Sequence, residues 1–134
     1  MKNTEEYQIN YTSILILRIA TSSIFIVASL SHLFQIEKTV NRIAQAKFGF
    51  IGQLLGPPEI AVVASGILML ISGLSLALGY KTRYAAILLI AILIPITITI
   101  QVGQLTTLGP LFKNVAILGG LLFFTMNPKF KKQK

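Results

Sequence analysis

Cysteine and tryptophan are both absent from this 134-residue sequence, histidine occurs once, and only 4 residues are acidic. Without a thiol the chain itself has no means of thiol–disulfide exchange, iron–sulfur ligation or cysteine-based zinc binding. One histidine and no HExxH spacing leave neither a metal donor set nor an axial-ligand signature for haem. Glycine-rich phosphate loops, dinucleotide fingerprints and nucleophile–base pairs are missing as well. The sequence therefore assigns no catalytic residue, no metal ligand and no covalently bound cofactor.

Charge is scarce too, at 12% of residues, whereas 54% are hydrophobic and the mean hydropathy is +0.75. A soluble domain of this length needs more polar residues on its surface. The imbalance disappears if lipid covers most of the exterior. The net charge of +8 comes from 12 Lys and Arg against 4 acids. These bases flank apolar runs, and 4 of them crowd residues 129–134, as suits contact with anionic headgroups. Aromatic–basic interleaving of the kind that stacks bases is lacking, so the expected partners are membrane lipids and not nucleic acid.

Four apolar runs organise the chain as a single domain over 1–134. The first, about 13–35, carries Arg18 near its beginning, where the side chain can snorkel to the headgroups. No Ala-x-Ala-like site follows it at Glu37 and Lys38, so it is expected to persist as a transmembrane helix. The second run covers about 59–79, with Ser65, Ser72 and Gly79 beside Gly66, Gly73 and Tyr80. That stripe of small residues reads as a packing face. The third, about 84–103, has Pro95 at its centre, which frees a backbone carbonyl. The fourth, about 111–126, is short, and is expected to start before Lys113 or to thin the bilayer locally.

Between the first two runs, Val40, Ile43, Ala44, Phe48, Ile51 and Leu55 recur at helical spacing, with Lys38, Arg42 and Gln45 opposite them. The pattern predicts a short helix in the interface plane. GYKTR at 79–83 is a tight turn between antiparallel helices. The expected fold is thus all-α: an integral membrane four-helix bundle with a short interfacial helix between the first and second spans. Counting bases on each side of four spans gives 8 on the side of the termini and 4 on the other. The positive-inside rule then places both termini in the cytoplasm of a cytoplasmic-membrane protein.

Polar residues inside spans are the default functional candidates. His32, Glu59, Gln101, Gln104, Lys113 and Asn114 all fall near one membrane boundary, a level suited to a ligand or quinone headgroup. Histidine donates or accepts toward a quinone oxygen, and a carboxylate can carry a proton. The plainer reading is that such residues hydrogen-bond water, headgroups and one another at any membrane boundary. Arg18, Arg83 and Pro95 read as structural or headgroup-contact positions. Arg18 lies roughly 20 Å from His32 by helical rise.

Several stretches together resemble the DoxX family of small four-helix bacterial membrane proteins, over roughly residues 14–127. They are LRIA at 17–20, SH at 31–32, LALGYKTRYAA at 76–86 and GPLFKNVAILGGLLFF at 109–124. The resemblance implies a four-helix bundle in the cytoplasmic membrane. It also implies an accessory role in respiratory or oxidative-stress redox systems, because some members are described as the quinone-linked subunit of a thiosulfate:quinone oxidoreductase. Contact with quinone and a redox enzyme partner follow as expectations. Arg18 and Arg83 match the family's arginine positions. Many members carry a glutamate ten residues before the glycine matching Gly79, where this chain has Met69, so no role passes from that glutamate. Two other functions fit the same residues: a small-solute or lipid transporter, with Pro95 as its broken-helix element, and a structural protein that recruits partners through its basic tail.

Overall fold

A computed structural model describes residues 9–54, 56–127 and 129. The polar tail at 1–8, Leu55, Pro128 and the basic residues of 130–134 lie outside the described residues. Six α-helices and one 3-10 turn make up the ordered elements described, with no strand among them.

Helix α1 (Tyr11–Phe34) begins where the Asn10 side chain accepts the Thr12 amide at 2.9 Å, satisfying one of the donors a helix start leaves free. Ile14, Thr21, Ser22, Phe25 and Ser29 are its buried residues, spaced to share one face. Ser22 and Ser29 give their hydroxyl protons to the carbonyls of Ile19 and Ile26. They thus act as small, internally satisfied residues that let another backbone approach.

The connection folds as two helices, α2 (Ile36–Gln45) and α3 (Gly49–Gln53). The sequence pattern predicted one. The chain doubles back so tightly after α2 that a Cβ at Gly49 would collide with the Ile43 carbonyl, and only glycine fits there. The buried side also differs from the predicted stripe, since Ala44 is exposed and Thr39 is buried. Thr39 donates its hydroxyl to the Gln35 carbonyl, which lets a polar side chain face inward without an open hydrogen bond.

Helix α4 (Pro58–Leu78) starts on a proline, whose missing N–H costs nothing in a first turn. It ends at Gly79 (φ +77°), with Gly79 N bonded to Leu76 O and Tyr80 N to Ser75 O, a Schellman arrangement. Helix α5 (Thr82–Gln101) follows after Lys81, which holds a left-handed φ of 44°. It runs through Pro95 without interruption. A 3-10 turn (Leu105–Thr107) leads into α6 (Leu108–Met126), which begins before Lys113 with Pro110 tolerated in its first turn.

Among the described residues four segments are long and apolar enough to cross a membrane: α1, α4, α5, and α6 with its leading turn. Helix α1 packs most extensively on α4, α4 continues onto α5, and α5 onto α6, while α6 touches α1 only lightly. Phe25, Met69, Leu76, Leu89, Leu121 and Phe124 meet in the centre. The α1–α4 seam is close because a Cβ at Gly66 would sit 3.0 Å from His32 Cβ, and one at Gly73 would sit 3.1 Å from Ile26 Cγ1. Large apolar side chains such as Val27, Phe34, Ile71, Leu78 and Phe112 cover the exterior, as a surface facing lipid requires.

Candidate functional site

The bundle contains a cavity of about 370 Å³ at the end that carries α2 and α3. Its walls come from four helices: His32 of α1, Thr39 and Ile43 of α2, Ala61, Ser65 and Leu68 of α4, and Ala91, Pro95 and Thr99 of α5. Lining residues on α4 run from Pro58 to Leu68, about 15 Å along the helix axis. The cavity therefore extends from the membrane boundary toward the middle of the bundle. Its lining is mostly aliphatic, with polar groups at a few places, the usual make-up of a small-molecule site.

His32 supplies the most directional of those groups. Its Nδ1 lies 3.0 Å from Ser65 Oγ, and the same Oγ lies 2.9 Å from the Val62 carbonyl. Ser65 has one hydroxyl proton, and the carbonyl can only accept. With the Ser65 proton on the Val62 carbonyl, Ser65 accepts from His32 and the imidazole carries its proton on Nδ1; with that proton turned to His32, the ring carries its own on Nε2. In the first tautomer of a neutral ring Nε2 is the acceptor, and the Val62 backbone lies within hydrogen-bond reach of the ring as well. In that tautomer the site presents a hydrogen-bond acceptor; in the other it presents a donor.

Helix α5 adds two further groups. Pro95 has no N–H to give the Ala91 carbonyl one turn earlier, and both residues line the cavity. Thr99 is buried and lines it too, with no hydrogen-bond partner among the described residues. Thr97 behaves differently: it donates to the Leu93 carbonyl at 2.7 Å and accepts from Asn114 Nδ2 at 2.9 Å.

The six candidates from one membrane boundary thus separate in space. His32 lines the cavity. Glu59 is exposed and does not line it, although its neighbours Pro58 and Ile60 do. Asn114, 4% exposed, ties α6 to α5 through Thr97. Lys113 is exposed. Gln101 and Gln104 are partly buried, and their main-chain carbonyls hold the Thr107 hydroxyl that closes the 3-10 turn. The Gln101 side-chain oxygen is buried without a partner among the described residues. At the other end Arg83 is exposed, and Arg18 packs against Gly79.

Ser65, Thr39 and Thr99 join the site without having been singled out for it. Ser65 belongs to the stripe read as packing, yet Gly66 and Gly73 make the close approach while Ser65 faces His32. The sequence signal was present: Ser65 and Gly66 are adjacent, and neighbouring helix positions point about 100° apart.

Four apolar helices in this arrangement define a multi-pass membrane protein. The chain belongs to the DoxX family, whose model matches residues 13–102. No curated protein and no solved structure matches the chain. The matched stretch holds every residue that lines the cavity and ends before α6, so GPLFKNVAILGGLLFF at 109–124 lies beyond it. Met69, at the position where many members are expected to carry glutamate, is 2% exposed and part of the apolar core.

Proposed function

We propose that this protein is a membrane accessory subunit of a respiratory or oxidative-stress redox system, and that its cavity holds the ring head of a quinone in its reduced, hydroxyl-bearing form. The observation that carries this reading is the His32–Ser65 pair in the wall of a mostly aliphatic cavity of about 370 Å³, which with Ser65 donating to Val62 turns Nε2 into an acceptor. That volume lies at the small end of the roughly 300–1,000 Å³ typical of ligand sites. A ring head fits the space, and its apolar tail is at home in the adjoining lipid. The chain has no cysteine and no cofactor-ligand spacing, so the electrons come from a partner or from the substrate itself. The charge count supports an orientation with both termini in the cytoplasm.

The test is extraction of the full chain in mild detergent, with mass spectrometry of retained lipophiles and co-purifying proteins. Quinol should be retained by the natural protein and by Glu59→Gln, and lost from His32→Ala. Equal retention in His32→Ala, or no quinone in any preparation, would refute the proposal. A second reading, transport of a small solute or lipid, is favoured by Pro95 lying in the cavity wall. It requires activity of the chain alone in liposomes and loss of that activity in Pro95→Ala.

A further inference from the structure

The opposite end of the bundle carries a second feature, independent of the cavity. Arg18 is partly buried in a membrane-spanning helix, and its Nε is fully enclosed with no hydrogen-bond partner among the described residues. No described residue pairs with its guanidinium. A guanidinium presents five N–H donors and stays protonated, so at membrane depth it demands an acceptor. The two acids among the described residues, Glu37 and Glu59, belong to α2 and the start of α4, at the far end.

The position of Arg18 is set by Gly79. A Cβ at Gly79 would lie 2.5 Å from Nη1, 3.0 Å from Cζ and 3.3 Å from Nη2, so the guanidinium rests where a side chain would otherwise stand. This is the C-terminus of α4, whose partial negative charge attracts a cation. The helix end supplies only about half a charge, and its Ser75 and Leu76 carbonyls already accept from Tyr80 and Gly79. Lys81 and Arg83 are exposed beside it, the first in the turn and the second in the first turn of α5. Tyr80 and Tyr84 are exposed as well, and tyrosines of this kind favour the headgroup level.

We infer that Arg18, held against Gly79 and flanked by Lys81 and Arg83, binds the phosphate group of an anionic phospholipid from the adjoining leaflet. With Nε enclosed, phosphate meets the Nη1 and Nη2 donors of the arginine, and the lysine and second arginine supply the surrounding positive field. The two tyrosines favour a lipid headgroup over free phosphate as its source.

Native mass spectrometry of the detergent-purified full chain tests this, with phosphatidylglycerol and phosphatidylcholine added separately and inorganic phosphate as competitor. The natural protein should retain phosphatidylglycerol in preference to phosphatidylcholine. Arg18→Gln should weaken retention by about tenfold, the effect of losing one charge-assisted contact. Arg18→Lys should fall between, because lysine keeps the charge and loses the fork. Lys81→Gly removes a flanking cation while relaxing a left-handed residue, so it folds and carries the test even if Arg18 variants do not; a several-fold loss is expected. Equal phosphatidylglycerol retention in the natural protein, Arg18→Gln and Lys81→Gly would overturn the inference. Displacement of the lipid by millimolar inorganic phosphate would overturn the lipid source and leave a soluble phosphate as the ligand.

Discussion

Alanine at Gly66 and alanine at Gly119 are the same chemical change on two spanning helices, and they should move stability in opposite directions. At Gly66 the new Cβ would stand 3.0 Å from His32 Cβ and 3.1 Å from both Cγ and Cδ2 of Leu33. Ordinary contact begins at 3.4 Å, so the shortfall is about 0.4 Å against His32 (3.4 − 3.0). The His32 Cβ is bonded directly to the α1 backbone, so the helix must shift; no flexible side-chain end can yield in its place. Overpacking of this kind costs about 1–3 kcal/mol. Alanine recovers about 0.5–1 kcal/mol over glycine in a helix interior. At Gly119 nothing lies within 4 Å, so only that recovery remains. The backbone contribution cancels between the two variants, and their difference isolates the α1–α4 contact at about 1–3 kcal/mol. Unfolding of detergent-purified protein by heat or SDS, followed by circular dichroism, measures it. If Gly66→Ala is as stable as Gly119→Ala, the close seam drawn here is wrong.

The 79–81 turn makes a second paired prediction. Gly79→Ala should lose about 1 kcal/mol, because its φ of +77° strains any side chain. Lys81→Gly should gain about 0.5 kcal/mol once the added freedom of the unfolded chain is deducted, both read as shifts in melting temperature. Asn114→Ala should cost about 1 kcal/mol, within the range for hydrogen bonds between membrane helices. Combined with Thr97→Val it should cost less than the sum of the two single changes, which a double-mutant cycle reads directly. Gly49→Ala should open the α2–α3 connection to limited proteolysis near residues 46–49 while the circular dichroism of the spanning helices stays unchanged.

The spans were legible because a bilayer imposes its requirement one helix at a time. Each apolar run had to be long enough to cross, and its ends were marked by Pro58, Gly79 and polar turns. Predicted and observed helices begin within one to three residues of each other. The connection was less legible. Its apolar spacing continued past residue 46, but the sharp return at Gly49 depends on a backbone contact with Ile43, which periodicity does not encode. Of the residues that line the cavity, His32 stood among the ligand candidates and Pro95 read as a structural position, while Thr39 and Thr99 gave no signal. Glu59 and Asn114 share its depth, yet one faces outward and the other ties two helices together.

What the sequence determined alone was therefore axial: which segments cross, where they end and how deep each polar residue lies. Rise per residue and hydropathy are properties of a single helix, and they suffice for depth. What the tertiary structure decided was azimuthal for the other helices, which side of each turns inward; in α4 the small-residue stripe already marked that side, and Gly66, Ser72 and Gly73 are buried. In lipid an aliphatic side chain is as well solvated outside the bundle as inside it, so Met69 in the core and Ile71 on the exterior carry no distinguishing hydropathy. Close approach of small residues and pairing of polar groups made that choice. Gly66 and Gly73 seat α1 on α4, and Asn114 joins Thr97. Once α1 was seated, His32 and Ser65 met, and a cavity formed beside them.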